Sequence, residues 1–230
     1  MTGTFYKAVR PDGTDFYTGT VRWLPPVGES LPDDGLIVTH PTVRKKSPGG
    51  ACDYLSVATV ATDCTGMEWP CRLARVERTR AAVWTPDGEL LPHKRASWQW
   101  RVVEELDPTL ALGPQGAEVA AIIDRARRLT DGEAEALDAA RVAIRYADLV
   151  AAWDAAYGAT YDDRDAVYVA TRNAARVSRG TAQEATKDAV LAVLARDLIS
   201  ESDYQLLAGP WLSVIGDADT PEASHVLTTN

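Results

Sequence analysis

The stretch SWQWRVVEELDPTLALGPQGAEVAAIIDRARRL, residues 97–129, contains the change of pattern that decides the fold of this chain. Its first ten residues alternate, with Trp98, Trp100 and Val102 on one side, which is typical of a half-buried β-strand. From Gly116 onward, apolar residues recur at every third or fourth position, which is the pattern of a helix. The sequence therefore predicts strands before this stretch and helices after it.

Short apolar runs separated by Pro and Gly fill the first half of the chain and are typical of β-strands. Residues 4–10 and 14–23 flank Pro11-Asp12-Gly13, which predicts a hairpin whose glycine has a positive φ. Residues 54–62 are compatible with one short helix. The other predicted strands are residues 35–40, 71–77, 80–84, 89–91 and 97–106.

In the second half, Thr130 and Thr181 are each followed three residues later by Glu, and this spacing predicts a capping box at a helix start. Ser200 begins a weaker version of the same motif. The predicted helices are residues 117–129, 131–157, 162–178, 182–199 and 201–208. The fold class is therefore α+β, with a β-rich domain (1–113) built on an antiparallel or mixed sheet, a helical bundle (114–216) and a mobile tail (217–230).

The net charge of −9 argues against a nucleic-acid partner, because phosphate binding needs a clustered basic surface. The charge is unevenly distributed: residues 1–113 contain 13 Lys and Arg against 14 Asp and Glu, and residues 114–230 contain 11 against 19. No apolar run is long enough for a membrane span, and the N-terminal residues carry charges where a signal peptide is apolar. We expect a cytoplasmic protein without a membrane partner.

Two of the three cysteines lie in SVATVATDCTGMEWPCRL, residues 56–73. The spacing of Cys52, Cys64 and Cys71 does not match the close ligand pairs of zinc sites, so we expect no metal. An acidic neighbour, Asp63, does not favour a reactive thiolate at Cys64. These cysteines are therefore interpreted as core residues beside a turn in which Asp63 bonds to local backbone amides, and we expect no cofactor.

Aromatic residues near the middle of the helical half suggest a surface for a protein partner. Trp153, Tyr157, Tyr161 and Tyr168 lie around a predicted bend between helices, and aromatic side chains are typical anchors of protein interfaces. Packing within the bundle, or between the bundle and the β-rich domain, is the alternative interpretation. A homo-oligomer is compatible with both interpretations.

An enzymatic alternative comes from the order of three segments, FYKAVR, YLSVAT and RVE. This order resembles that of ADP-ribosyltransferases, in which such segments surround a nicotinamide group. The resemblance implies catalytic roles for Arg10, Ser56 and Glu77. The chain departs from the family pattern at Arg75, where the family has Gln or Glu, and the central Ser-Thr-Ser motif is incomplete.

A broader resemblance covers most of the chain. The segments YLSVATVATDCTGMEWPCRLARVE (54–77), Arg196-Asp197-Leu198-Ile199 and Gly209-Pro210-Trp211 resemble uncharacterised proteins of actinobacteria and their phages. That group combines a β-rich front with Ala-rich helices and implies no reaction. We predict a non-enzymatic interaction protein whose acidic helical half offers the partner surface, an accessory protein of a phage or mobile element. The alternative is an enzyme similar to ADP-ribosyltransferases, or another nucleotide-handling enzyme, in the β-rich domain.

Overall fold

A computed structural model describes residues 3–41, 54–85 and 92–216 of the chain. The described strands are β1 (Phe5–Val9), β2 (Leu36–Thr39), β3 (Leu55–Ala58), β4 (Arg72–Arg78), β5 (Val83–Trp84), β6 (Lys94–Ser97) and β7 (Gln99–Leu106). The described helices are α1 (Gly116–Ala126), α2 (Asp131–Val142), α3 (Tyr146–Ala159), α4 (Arg164–Val177), α5 (Ala182–Ala195) and α6 (Glu201–Val214). The predicted strand over 89–91, Cys52 and the predicted tail over 217–230 lie outside the described residues.

The seven strands form one sheet in the order β2-β7-β4-β1-β3-β6-β5, and every pair in it is antiparallel. One face of the sheet carries the core. Trp100 lies at its centre, with its ring 5.1 Å from that of Phe5 and its Nε1 donating to the main-chain oxygen of Leu55 at 3.0 Å. A sheet followed by helices confirms the predicted α+β fold.

The predicted hairpin around Pro11-Asp12-Gly13 is wrong in its second strand. Both edges of β1 are already paired, one with β3 and the other with β4, so residues 14–23 have no edge of β1 to join. Instead, the carboxylate of Asp15 accepts hydrogen bonds from the main-chain N–H groups of Thr18 (2.6 Å) and Val21 (3.0 Å), which folds this segment into a loop. Gly13 has the predicted positive φ, at +86°.

Two further predictions in the first half, the short helix over 54–62 and the single strand over 97–106, need correction. Residues 54–62 form β3 and then a short 3-10 turn, Ala61–Asp63, because Leu55 and Val57 alternate into the core as strand residues do. Residues 97–106 are not one strand, since β6 ends at Ser97 and β7 begins at Gln99. The two strands have different partners: β6 pairs with β3 and β5, and β7 pairs with β2 and β4.

The helix predicted over 131–157 is two helices, α2 and α3. Ile144 bonds back to the carbonyl of Arg141 in a tight turn, and Arg145 has an extended backbone (φ −62°, ψ 125°) that starts α3. Neither Gly nor Pro marks this break, so the helical pattern runs through it. The capping box at Thr130 is confirmed, whereas Thr181 makes no side-chain cap bond.

The helix predicted to end at residue 208 continues to Val214, with Pro210 inside it. A proline within a helix removes one backbone hydrogen bond, and burial of apolar side chains can offset this loss. Here Leu207, Pro210 and Trp211 are all buried. None of the described helices is both long and apolar enough to cross a membrane.

Contacts divide the chain into two compact units. Unit 1 comprises Met1–Ala117 and Tyr161–Asn173, and unit 2 comprises Glu118–Thr160 and Ala174–Asn230. Unit 1 therefore contains the sheet together with the first ten residues of α4, which the sequence-based division assigned to the helical half. Within unit 2, α5 and α6 pack against each other and each packs against α2 and α3.

Candidate functional site

Unit 1 contains an open cavity of about 700 Å³, which we call the acidic cleft. It lies between the 3-10 turn after β3, the residues that enter β6, and the segment that leads into α4. The side chains that give it its chemistry are Thr62, Asp63, Thr65, His93, Lys94, Tyr161, Asp162, Asp163, Arg164, Asp165 and Tyr168. Four of these are aspartates, against one lysine, one arginine and one histidine.

Backbone pairing between β3 and β6 positions Asp63 in this cleft. Ala58 is opposite Lys94, and the N–H of Thr59 donates to the carbonyl of His93 at 2.8 Å, so the pairing extends one residue beyond β6. The chain then turns, and Nζ of Lys94 donates a hydrogen bond to the main-chain carbonyl of Asp63. This contact holds the turn against the start of β6, and Asp63 is only 4% exposed.

The carboxyl group of Asp63 lacks the donors that a buried carboxylate needs. Its Oδ2 has no hydrogen-bond partner among the described residues, and Nδ1 of His93 is 3.7 Å away from it. Burial, together with a hydrogen bond from the protonated form to the neighbouring carboxyl of Asp165, raises the pKa of Asp63 to about 6. His93 and Lys94 act in the opposite direction. Asp63 is therefore a carboxyl group that is poorly stabilised when ionised.

Two exposed tyrosines, Tyr161 and Tyr168, line the cleft on the side of α4, with 65% and 55% of their surface exposed. The guanidinium of Arg164 lies 5.5 Å from the ring of Tyr161, and that of Arg172 lies 5.3 Å from the ring of Tyr168. These are cation–π distances, so both rings have the electrostatic character that attracts positive charge.

The second half of α4 is fixed to the turn that follows Cys64. Nη2 of Arg172 donates to the carbonyl of Met67 at 2.6 Å, and the main-chain N–H of Trp69 donates to Oδ1 of Asn173 at 2.7 Å. Asn173 is buried, and its own amide donates to the carbonyl of Val169. Residues of the stretch 56–73 therefore hold α4, which forms one wall of the acidic cleft, in position.

The four predicted partner-binding aromatic residues fall into two groups. Tyr161 and Tyr168 belong to unit 1, whereas Trp153 and Tyr157 belong to unit 2. Nε1 of Trp153 donates to Oδ1 of the fully buried Asp188 at 2.7 Å, and its ring lies 5.4 Å from that of Tyr157. Trp153 is therefore engaged within the helical unit, as the alternative interpretation expected.

Arg10, Ser56 and Glu77, the residues implied by the transferase resemblance, are not brought together. Arg10 follows the pair Val9–Arg72, whereas Glu77 lies beyond the pair Phe5–Val76 at the opposite end of the same ladder. Six residues of strand separate them, or roughly 20 Å. Ser56 lies on β3, Arg10 donates to the main-chain oxygen of Phe16, and Glu77 lies 3.5 Å from Arg75. This placement of Arg10 and Glu77 does not support the transferase interpretation.

The two described cysteines are buried, as the sequence predicted for core residues. Burial raises the pKa of Cys64, and it raises the pKa of Cys71 to about 12, with the proximity of Cys64 acting in the same direction. Cys71 also contacts Sδ of Met67 at 3.6 Å. Both thiols are therefore protonated and poorly nucleophilic at neutral pH. Within the described ranges, no group of three or more His, Cys, Asp or Glu side chains is arranged to hold a metal ion.

The sequence pointed to Asp63 only as part of a turn, with its side chain expected to bond to local amides. The structure instead leaves Oδ2 without a donor and places Asp165, one hundred and two residues later, beside it. His93 belongs to none of the sequence motifs described above. No local pattern connects these three residues, because the sheet and α4 bring them together.

A second cavity, of about 530 Å³, lies in unit 2 between α2 and α6. Its lining is largely apolar and includes Ala140, Ile144, Leu206 and Pro210. It has no buried polar group that lacks a partner, so it does not indicate a ligand of particular chemistry.

Comparisons with known proteins add no assignment: no protein-family model, no curated protein and no solved structure matches this chain. The resemblance to proteins of actinobacteria and their phages therefore stays a prediction. The geometry of the acidic cleft is the basis on which a function can be argued.

Proposed function

We propose that this protein is a protein-interaction module and that the acidic cleft of unit 1 is its partner-binding surface. One observation carries the proposal: the cleft combines a buried carboxylate oxygen that has no donor, on Asp63, with two exposed tyrosines, Tyr161 and Tyr168. A buried polar atom without a partner destabilises the free protein, and a bound partner can supply the missing hydrogen bond.

The tyrosines support a protein partner because they offer large contact areas and few rotatable bonds. Tyr and Arg are enriched among the residues that dominate binding energies at protein interfaces, and Tyr161 and Tyr168 are each next to an arginine, Arg164 and Arg172. The cleft is open to solvent and has a volume of about 700 Å³, which can accept a projecting side chain of another protein. This proposal retains two of the four aromatic residues predicted from the sequence and places the surface in unit 1.

The predicted association with phages or mobile elements has no support from the cleft and remains a prediction from the resemblance. The absence of an enzymatic activity is likewise part of the proposal. What favours binding is that both described thiols, Cys64 and Cys71, are buried and protonated, so neither is available as a nucleophile.

The proposal can be tested by selecting binders from a random peptide library displayed on phage, using the full chain as bait. Enriched peptides should bind the wild-type protein and lose about tenfold or more in affinity for the double variant Tyr161→Ala/Tyr168→Ala. Tyr146→Ala is the matched control, because Tyr146 is 79% exposed but belongs to unit 2. Affinities are measured by fluorescence polarisation with labelled peptides.

Three results would contradict the proposal. The first is a library that yields no binder for the wild-type chain, and the second is a set of enriched peptides that bind the double variant as tightly as the wild type. The third is a Tyr146→Ala variant that loses as much binding as the double variant. Circular dichroism of each variant confirms that the substituted exposed side chains leave the fold intact.

A further inference from the structure

We propose that the acidic cleft recognises a cationic side-chain group, the ammonium of lysine or the guanidinium of arginine, which binds directly to the carboxylate of Asp63. This inference rests on the proposed function and names the chemical group of the partner that the cleft accepts. At pH 6 and below, the incoming cation also replaces a proton on Asp63.

The first argument is the unpaired carboxylate itself. The side chain of Asp63 is 94% buried, since 6% of it is exposed, and its Oδ2 has no hydrogen-bond partner although the residue lines an open cavity. An ammonium or a guanidinium supplies both the missing donor and the opposite charge. Charge-assisted hydrogen bonds of this type are about twice as strong as neutral ones.

The second argument is that the lysine and the arginine of the cleft already contact other groups than the carboxylate of Asp63. Lys94 donates to the main-chain carbonyl of Asp63, and Arg164 lies over the ring of Tyr161. With Asp162, Asp163 and Asp165 also lining the cavity, the four carboxyl groups outnumber the two permanently charged cations. The cleft therefore attracts positive charge and disfavours anions.

The tyrosine rings provide a third, independent feature. Each ring already has one guanidinium near it, which shows that a cation is tolerated at this position. Because Tyr161 and Tyr168 remain more than half exposed, ring surface is left for the methylene groups or the charged end of an incoming lysine or arginine.

The proton balance follows from the groups that face Asp63. These are His93 and Lys94 at the start of β6 and Asp165 on α4. In the free protein, a proton on Asp63 can be shared with Asp165. When a cation binds to a molecule in which Asp63 is protonated, the O–H bond of Asp63 breaks, the proton leaves to solvent, and the carboxylate accepts a hydrogen bond from the cation. When Asp63 is already ionised, the carboxylate accepts that hydrogen bond without proton release.

Small probes test this inference directly. The full chain, labelled with ¹⁵N, is titrated with n-butylamine, with agmatine, which carries a guanidinium and an ammonium group, and with n-butanol as the neutral control. Amide shifts around Asp63, His93 and Asp165 are followed. Both cations should bind at pH 7.5 at least about tenfold more tightly than the alcohol. With a pKa of about 6, roughly a quarter of Asp63 is ionised at pH 5.5, so the affinity for agmatine should fall about fourfold.

Asp63→Asn should reduce the agmatine affinity by about tenfold or more and remove the pH dependence that Asp63 causes. The matched control is Asp33→Asn, which removes a charge from an exposed position of unit 1 outside the cleft and should change the affinity by less than about threefold. Proton release is measured by calorimetry at pH 6 in two buffers of different ionisation enthalpy.

Each outcome of these experiments supports or overturns at least one of the two proposals. Equal binding of butanol and butylamine overturns cation recognition, as does an Asp63→Asn variant that binds agmatine like the wild type. If library peptides bind through Tyr161 and Tyr168 but neither cation binds, this inference fails while the proposed function stands. If neither the peptides nor the cations bind, both proposals fail.

Discussion

Replacing Asp63 with asparagine should make the protein more stable at neutral pH. The pKa of this carboxyl is about 6 in the folded protein, against an ordinary value of 3.8, so at pH 7.5 the ionised form is disfavoured by folding. Two pKa units at 1.36 kcal/mol each give an upper value of about 3 kcal/mol for this destabilisation. Asparagine has nearly the same shape, stays neutral, and can donate its amide to Asp165.

The sign and the pH window follow from linkage. The folded state binds a proton more tightly than the unfolded state, so the stability associated with Asp63 is lost as pH rises from 3.8 to about 6. The advantage of Asp63→Asn should therefore be largest at pH 7.5, fall to about 1 kcal/mol at pH 4.5, and vanish when both states are protonated.

Urea denaturation followed by tryptophan fluorescence measures this difference. Five of the seven tryptophans report on unit 1, namely Trp23, Trp69, Trp84, Trp98 and Trp100. Asp33→Asn, at an exposed loop position of the same unit, is the control for the general reduction of negative charge and should change stability by less than about 0.5 kcal/mol. An Asp63→Asn variant that is less stable than wild type at pH 7.5 would refute the reasoning, because it would show that the carboxylate is well solvated or paired.

Three further substitutions test the packing. Asp188→Ala removes the acceptor of two side-chain hydrogen bonds within unit 2 and should lower the free energy of unfolding by about 3 kcal/mol, measured by urea denaturation followed by circular dichroism; a loss below about 1 kcal/mol would contradict a structural role. The substitution Gly13→Ala would put a Cβ 2.3 Å from the carbonyl oxygen of Leu24 and should lower the melting temperature. Gly28→Ala should lower it less, because Gly28 has a similar positive φ but open space around it. Equal decreases in melting temperature would show that backbone strain, and not the close contact, determines the loss of stability. Replacing Cys64 and Cys71 together with Ala should cost about 1–3 kcal/mol in urea denaturation and leave peptide binding unchanged, whereas lost binding in a folded variant would assign these thiols a functional role.

Regular patterns in the sequence predicted much of the fold. The alternation of Trp98, Trp100 and Val102 placed all three residues in the core, where each is less than 10% exposed. The capping box at Thr130 located the start of α2 because its hydrogen bonds join residues only three positions apart. Such local signals survive without knowledge of the tertiary structure.

The incorrect secondary-structure predictions share one cause, because contacts between residues far apart in the sequence override local preferences. Residues 14–23 have the composition of a strand but do not form one, since β3 and β4 already occupy both edges of β1. The break between α2 and α3 has no Gly or Pro, so local propensity gives no signal for it. Pro210 lies inside α6 although proline usually ends a helix, and its neighbours Leu207 and Trp211 are buried.

The sequence by itself determined the α+β class, the position of the change from strands to helices and the burial of Cys64 and Cys71. Only the tertiary structure decided which side chains form the acidic cleft. Asp63, His93 and Asp165 meet because the pairing of β3 with β6 and the attachment of α4 bring distant parts of the chain together. Local preferences act over a few residues, whereas the burial of a carboxylate and the loss of its donors depend on groups that the whole fold assembles.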